Sequence, residues 1–226
     1  IGALESETND EQLEEAKEAF RAMMRHHLAA AQRVNDDAVD GASVAYNLAL
    51  PSLAFLGELR GEVNVDTLVA ARKAAKSIVA DDLHEELVDA LAAARSDGPF
   101  EMTPSAVGQR AIVTICLDYL LASSHDGAVP LAEDIYLSAD NMTLWAGALR
   151  SVVGSELPSA AAALDWMLAD FYTKGEKDAL VMDLWFSIQA AGAGSDAVDR
   201  VKALMSRPDY TLEVPNRMRS VLGAFA

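Results

Sequence analysis

The chain has 226 residues, 51% of them hydrophobic, with a mean hydropathy of +0.11; that is enough apolar mass for a continuous core in one large domain or two small ones, and it excludes a disordered tail. Its 35 acidic residues against 18 basic ones leave a formal charge of -17, so nucleic acid and anionic membrane are both excluded as partners by repulsion. The bases are scattered, at Arg21 to Arg25, Arg72 to Lys76 and Arg217 to Arg219, with no run interleaved with aromatics as single-strand binders require.

Ile1 stands where an initiator Met is expected, which predicts a natural N-terminus elsewhere, and no basic-then-apolar leader follows it. From Leu13 the apolar positions Ala16, Phe20, Met23, Met24 and Leu28 keep the spacing of a helix buried on one face, so most of residues 1–40 reads as one long helix. Asn35, Asp36, Asp37, Asp40 and Gly41 form a polar break, and Pro51 interrupts the next apolar stretch. Asp66 is a cap for a helix running to about Val79, and Asp81 or Asp82 starts another that ends near Ser96-Asp97-Gly98; the two are expected to pair antiparallel. Thr103-Pro104 is a strong helix start, because the threonine oxygen satisfies an orphan N–H and proline at the first position loses none. The helix it opens is apolar on several sides through Leu121 and is expected at the centre of the domain. Cys116 lies within it as the single cysteine, so no intrachain disulfide or cysteine zinc knuckle can form, and a reducing, cytoplasmic setting is expected. Further starts recur at Asp140-Asn141, Ser155 to Pro158, Ser195-Asp196 and Val214-Pro215. Apolar runs are broken by charge well before bilayer length, so no membrane span is expected.

This pattern predicts an all-α fold of about ten helices joined by short loops, an irregular armadillo/HEAT-like superhelical array of antiparallel helix pairs within a single domain over residues 1–226. No strict repeat period accompanies it. Such arrays leave a concave surface, which favours a scaffold or wall over an isolated catalyst.

Local motifs carry little chemistry. His84-Glu85-Glu86-Leu87-Val88 begins as the H-E-x-x-H of zinc peptidases, but Val88 replaces the second histidine, so one helix cannot present two ligands to one ion; His84 reads as a solvated helix residue. His26 and His27 point about 100° apart on a helix and cannot clamp an ion together. Ser124, His125 and Asp126 are sequence neighbours in a turn, whereas catalytic triads are assembled by a fold. Gly192-Ala193-Gly194-Ser195 lacks the phosphate-loop pattern, and the acidic pairs lack calcium-loop spacing. Trp145, Trp166, Phe171, Tyr172, Trp185 and Phe186 recur at helical intervals and read as core, with a peptide-binding groove as the functional alternative.

Three segments are more specific. Asp140-Asn141-Met142-Thr143, the run Ala179-Leu180-Val181-Met182-Asp183-Leu184-Trp185-Phe186-Ser187-Ile188-Gln189-Ala190, and Pro215-Asn216-Arg217-Met218-Arg219-Ser220-Val221-Leu222-Gly223-Ala224-Phe225-Ala226 closely resemble the bacterial-type aminopeptidase N family, in its order and approximate spacing. Weaker similarity runs upstream through Leu48-Ala49-Leu50-Pro51-Ser52 to Ala19-Phe20-Arg21-Ala22, and is weakest over residues 1–46.

The resemblance implies a zinc-dependent exopeptidase of peptide catabolism, of the gluzincin type, that removes N-terminal amino acids from peptides. Members carry an N-terminal β domain, a thermolysin-like catalytic domain, a small β-sandwich and a large C-terminal helical domain, and this chain resembles the last, cut short, since members continue past Ala226. Zinc and its H-E-x-x-H belong to the catalytic domain; no cofactor and no catalytic residue are expected in this chain, which is not expected to be an enzyme by itself. The implied role is to enclose the active-site chamber and control peptide access, with the catalytic domain of the same polypeptide and peptide substrates as partners. Arg219, and with it Arg217, are the implied substrate-binding residues; a guanidinium there can pair bidentately with a peptide's terminal carboxylate. The alternative reading is a helical-repeat protein-interaction module without peptidase activity.

Overall fold

A computed structural model of the chain describes residues 10–59, 63–125, 127–192, 194 and 196–225. The described residues form twelve α-helices and one π-helical turn, with no strand among them, and they divide into two compact units that meet in sequence at Asp126 and Gly127.

The first unit holds α1 (Asp10–Ala31), α2 (Gly41–Leu48), α3 (Leu53–Glu58), α4 (Val65–Asp82), α5 (His84–Ala94) and α6 (Pro104–Leu120). Helix α6 is its centre: it packs on α2 and α5 and touches α4, and Ile112, Cys116, Leu117 and Leu120 on it are buried. Its start is the one expected, with Thr103 Oγ1 accepting from Ala106 N–H at 3.3 Å and Pro104 in the first turn. Other boundaries shift. Asn64, not Asp66, caps α4 by accepting from Thr67 N–H, and α5 begins at His84 without a side-chain cap, two residues beyond the acidic pair. Helix α5 packs mainly on α6 and α1 and only lightly on α4.

Polar side chains fix these crossings. Asn35, in the polar break, donates to the Ala93 carbonyl at 3.0 Å and accepts from Gln109 at 2.8 Å, joining the ends of α5 and α6. Buried Tyr119 donates to the Leu48 carbonyl at 2.7 Å, satisfying the last turn of α2. Arg21 to Asp82 at 2.6 Å and Arg25 to Glu86 at 3.0 Å pair α1 with α4 and α5.

The second unit holds α7 (Ala128–Ser138), α8 (Met142–Val153), α9 (Ala160–Gly175), α10 (Ala179–Ala190), α11 (Ala197–Met205), α12 (Pro215–Met218) and the π-helical turn Arg219–Gly223. Helix α10 is its hub, touching α8, α9, α11, α12 and the turn. Asp178 caps α10, accepting from Leu180 and Val181 N–H. Asn141 caps α8, Asp140 being its sequence neighbour. The start expected at Ser195 and the motifs containing Ala193 and Asp126 lie outside the described residues; Asp196 precedes α11 without a side-chain cap. The aromatic series is core in part: Phe171 and Phe186 are fully buried and Trp185 nearly so, whereas Trp145, Trp166 and Tyr172 are half-buried. Ring contacts link Trp145 to Phe171 at 4.4 Å and Trp185 to Phe186 at 5.1 Å.

Candidate functional site

The segment that carries both candidate arginines is short and strongly anchored. Val214 is extended and Pro215 opens α12, as expected for proline in a first helical turn. After four residues the chain widens into the π-helical turn Arg219–Gly223, a rare feature that is frequent at functional sites. Ser220 and Val221 within the turn are buried, and Ser220 Oγ donates to the Arg217 carbonyl at 2.7 Å.

Arg217 faces inward. Its Nε donates to Asp183 on α10, its Nη1 donates to the Asp209 carbonyl, and its guanidinium carbon lies 4.8 Å from the Phe186 ring centroid. The Arg217 side chain is 13% exposed and that of Asp183 is 16% exposed. Arg219 is exposed; its backbone N–H donates into the preceding turn, but its guanidinium has no hydrogen-bond or ion-pair partner among the described residues. The opposite orientations follow from helical geometry, since positions two apart lie about 200° around the axis.

A second layer holds the Asp209 backbone. Arg207 grips the Asp209 carboxylate through Nε and Nη2 at 2.9 and 3.0 Å, and Tyr172 on α9 donates to it at 2.9 Å. Burial pushes the Asp209 carboxyl up, but hydrogen bonds from Arg207 and Tyr172 and the Arg207 charge outweigh it and hold the group below its ordinary range. The Arg207 guanidinium also lies over Tyr172 at 5.0 Å and Trp185 at 4.7 Å. Two of the three distinctive sequence segments, Met182 to Phe186 and Pro215 to Ser220, therefore meet here.

The third, at Asp140 to Met142, borders a cavity of about 370 Å³ with Tyr136, Trp145 and Lys174. Lys174 pairs with Asp170 at 2.8 Å and lies 5.2 Å from the Trp145 centroid; Tyr136 donates to Asp170 at 2.9 Å. Burial, then the Asp170 carboxylate, pushes the Tyr136 phenol up. The sequence does not single out Tyr136, Lys174, Arg207 or Asp209; Lys174 alone stands within two positions of an aromatic of the series, Tyr172, and Arg207 and Asp209 meet that series only through the fold.

Among the described residues no group of three or more His, Cys, Asp or Glu side chains is placed to hold an ion, and Val88 stands where a second helix ligand would be needed. No described helix is long and apolar enough to cross a membrane.

Residues 2–226 match the family described as a domain of unknown function (DUF3458_C) with ARM repeats. The chain is 29% identical over 209 residues to aminopeptidase N of Escherichia coli K12, covering 92% of this chain and 22% of that protein. It is 30% identical over 191 residues to aminopeptidase N of Caulobacter vibrioides, covering 84% and 22%. A solved structure of Legionella pneumophila aminopeptidase A, in complex with aspartic acid, matches 93% of this chain and 27% of its own, with a TM-score of 0.73 and 23% identity, a likeness of fold. The chain belongs to this ARM-repeat family and represents the helical C-terminal domain of the bacterial aminopeptidase N type. It spans about a fifth of the length of the curated relatives it matches.

Proposed function

We propose that this chain is the non-catalytic helical domain of a zinc-dependent aminopeptidase acting in the cytoplasm on the N-termini of peptides. In this reading it docks on the catalytic domain of the same polypeptide, encloses part of the active-site chamber and limits which peptides enter. The observation that supports it is the match of one family profile to residues 2–226 together with aminopeptidase N relatives of which the chain covers 22%; the same span favours a single domain. Zinc belongs to the catalytic domain, and the residues of this chain bind, orient and exclude. Arg219 is the residue proposed to meet a peptide's C-terminal carboxylate, because it is exposed and uncommitted to any described partner.

The test compares the isolated chain with the full-length protein for zinc content and for hydrolysis of an alanine anilide. Zinc and turnover are expected in the full-length protein and neither in the chain. Turnover by the chain alone would place the chemistry here and overturn the reading.

A further inference from the structure

We infer that Asp183 and Arg217 are positioning residues that hold the π-helical turn so that Arg219 faces the substrate carboxylate, an inference that rests on the proposed role of Arg219. Arg217 is itself badly placed to receive a carboxylate. Asp183, the Asp209 carbonyl and the face of Phe186 already occupy its guanidinium, and only 13% of its side chain is exposed. An incoming carboxylate would have to enter a nearly buried site and set a second negative charge beside Asp183 on the same guanidinium, which is unfavourable.

The pair is also an uneconomical way to gain stability, since desolvating two charges offsets most of their attraction, whereas an ion pair has one allowed geometry and therefore fixes register. Register matters here. A π-helical turn has poor intrinsic stability, and this one is pinned on both sides of Arg219: by Arg217 before it, and by Ser220 and Val221 after it. Between these anchors the Arg219 backbone is fixed while its side chain stays available. The support extends to α9, because Tyr172 and Arg207 hold Asp209, whose carbonyl receives Arg217.

The experiment is steady-state kinetics on the full-length enzyme with Asp183→Asn, Asp183→Glu, Arg217→Lys and Arg219→Ala, using alanine-led tripeptides with a free carboxylate and an alanine anilide that lacks one. Arg219→Ala is expected to raise KM for the tripeptides alone. Asp183→Asn and Arg217→Lys are expected to raise that same KM by roughly three- to tenfold, the scale of one weakened charge-assisted hydrogen bond, with kcat and anilide hydrolysis unchanged. Asp183→Glu should restore part of the loss, and Asp183→Asn should add nothing in the Arg219→Ala background. A selective effect of Arg219→Ala with folded but silent Asp183→Asn and Arg217→Lys enzymes overturns the positioning role and leaves the Arg219 reading standing. Equal effects of Arg219→Ala on both substrate classes overturn both. Loss of folding in Asp183→Asn and Arg217→Lys alike would make the pair structural and overturn the inference.

Discussion

His84 opens α5 with its ring stacked on that of His125, the centroids 4.1 Å apart and the planes 27° from parallel. Its Nδ1 is buried without a hydrogen-bond partner among the described residues. Burial first, and then the His125 charge, lower its pKa from the ordinary 6.5, while Asp81 and Glu85 oppose the shift. A histidine with a lowered folded pKa takes up its proton more readily when unfolded, so its contribution to stability is present above 6.5 and is lost as pH falls through the window below. His125→Ala should therefore move the His84 titration midpoint, read from its imidazole proton shifts, up toward the ordinary value; an unmoved midpoint would show that the stack has no electrostatic effect. The sequence presents His84 as a solvated helix residue and His125 as part of a turn, and nothing local pairs them. Ser124 helps to do so, donating to Asp81 through its N–H at 2.8 Å and its Oγ at 3.0 Å.

Helices α2 and α6 cross at two glycines. A Cβ added to Gly108 would lie 2.9 Å from the Gly41 Cα and 2.9 Å from the Ala42 nitrogen, and all three of its nearest atoms are backbone. Alanine's better helix propensity is worth about 1 kcal/mol, whereas overpacking against unyielding backbone costs about 1–3 kcal/mol, so Gly108→Ala should be destabilising. Gly154→Ala is the matching control, since its nearest neighbours are at 3.6 and 3.7 Å and its backbone is right-handed. Thermal melts should show a lower Tm for Gly108→Ala and none of that loss for Gly154→Ala; equal behaviour would mean that the crossing can open at little cost. Elements differ in how much of this the sequence reveals. Thr103-Pro104 is legible because a cap is a local device, and α6 is legible because its apolar positions surround it. Helices α2 and α7 are less so: α2 has eight residues, and α7 begins after Gly127 with φ at 103°, a left-handed start that no capping side chain announces.

The acidic excess of -17 offers carboxylate partners to many of the cations among the described residues. Arg21, Arg25, Arg200, Arg207 and Arg217 each meet a carboxylate; Arg219 meets none among the described residues, which leaves its guanidinium available for the proposed carboxylate contact. Fold class was readable throughout, because helical spacing and capping recur from Leu13 to Pro215 in a chain that provides no alternating strand pattern. The environment of the candidate site was not. The Arg217 contact with Asp183 spans 34 positions, and no periodicity links the two; only the order of the two segments in the family brought them to notice together.

Cys116 gives this arrangement a built-in clock. It is fully buried on α6, and burial pushes its thiol up to about 12, so at neutral pH it is both shielded and almost wholly protonated, the unreactive form toward thiol reagents. With no second cysteine in the chain to compete, each labelling event requires an opening of the first unit around its central helix, and at reagent concentrations where labelling outpaces reclosing the rate measures how often that helix is laid bare.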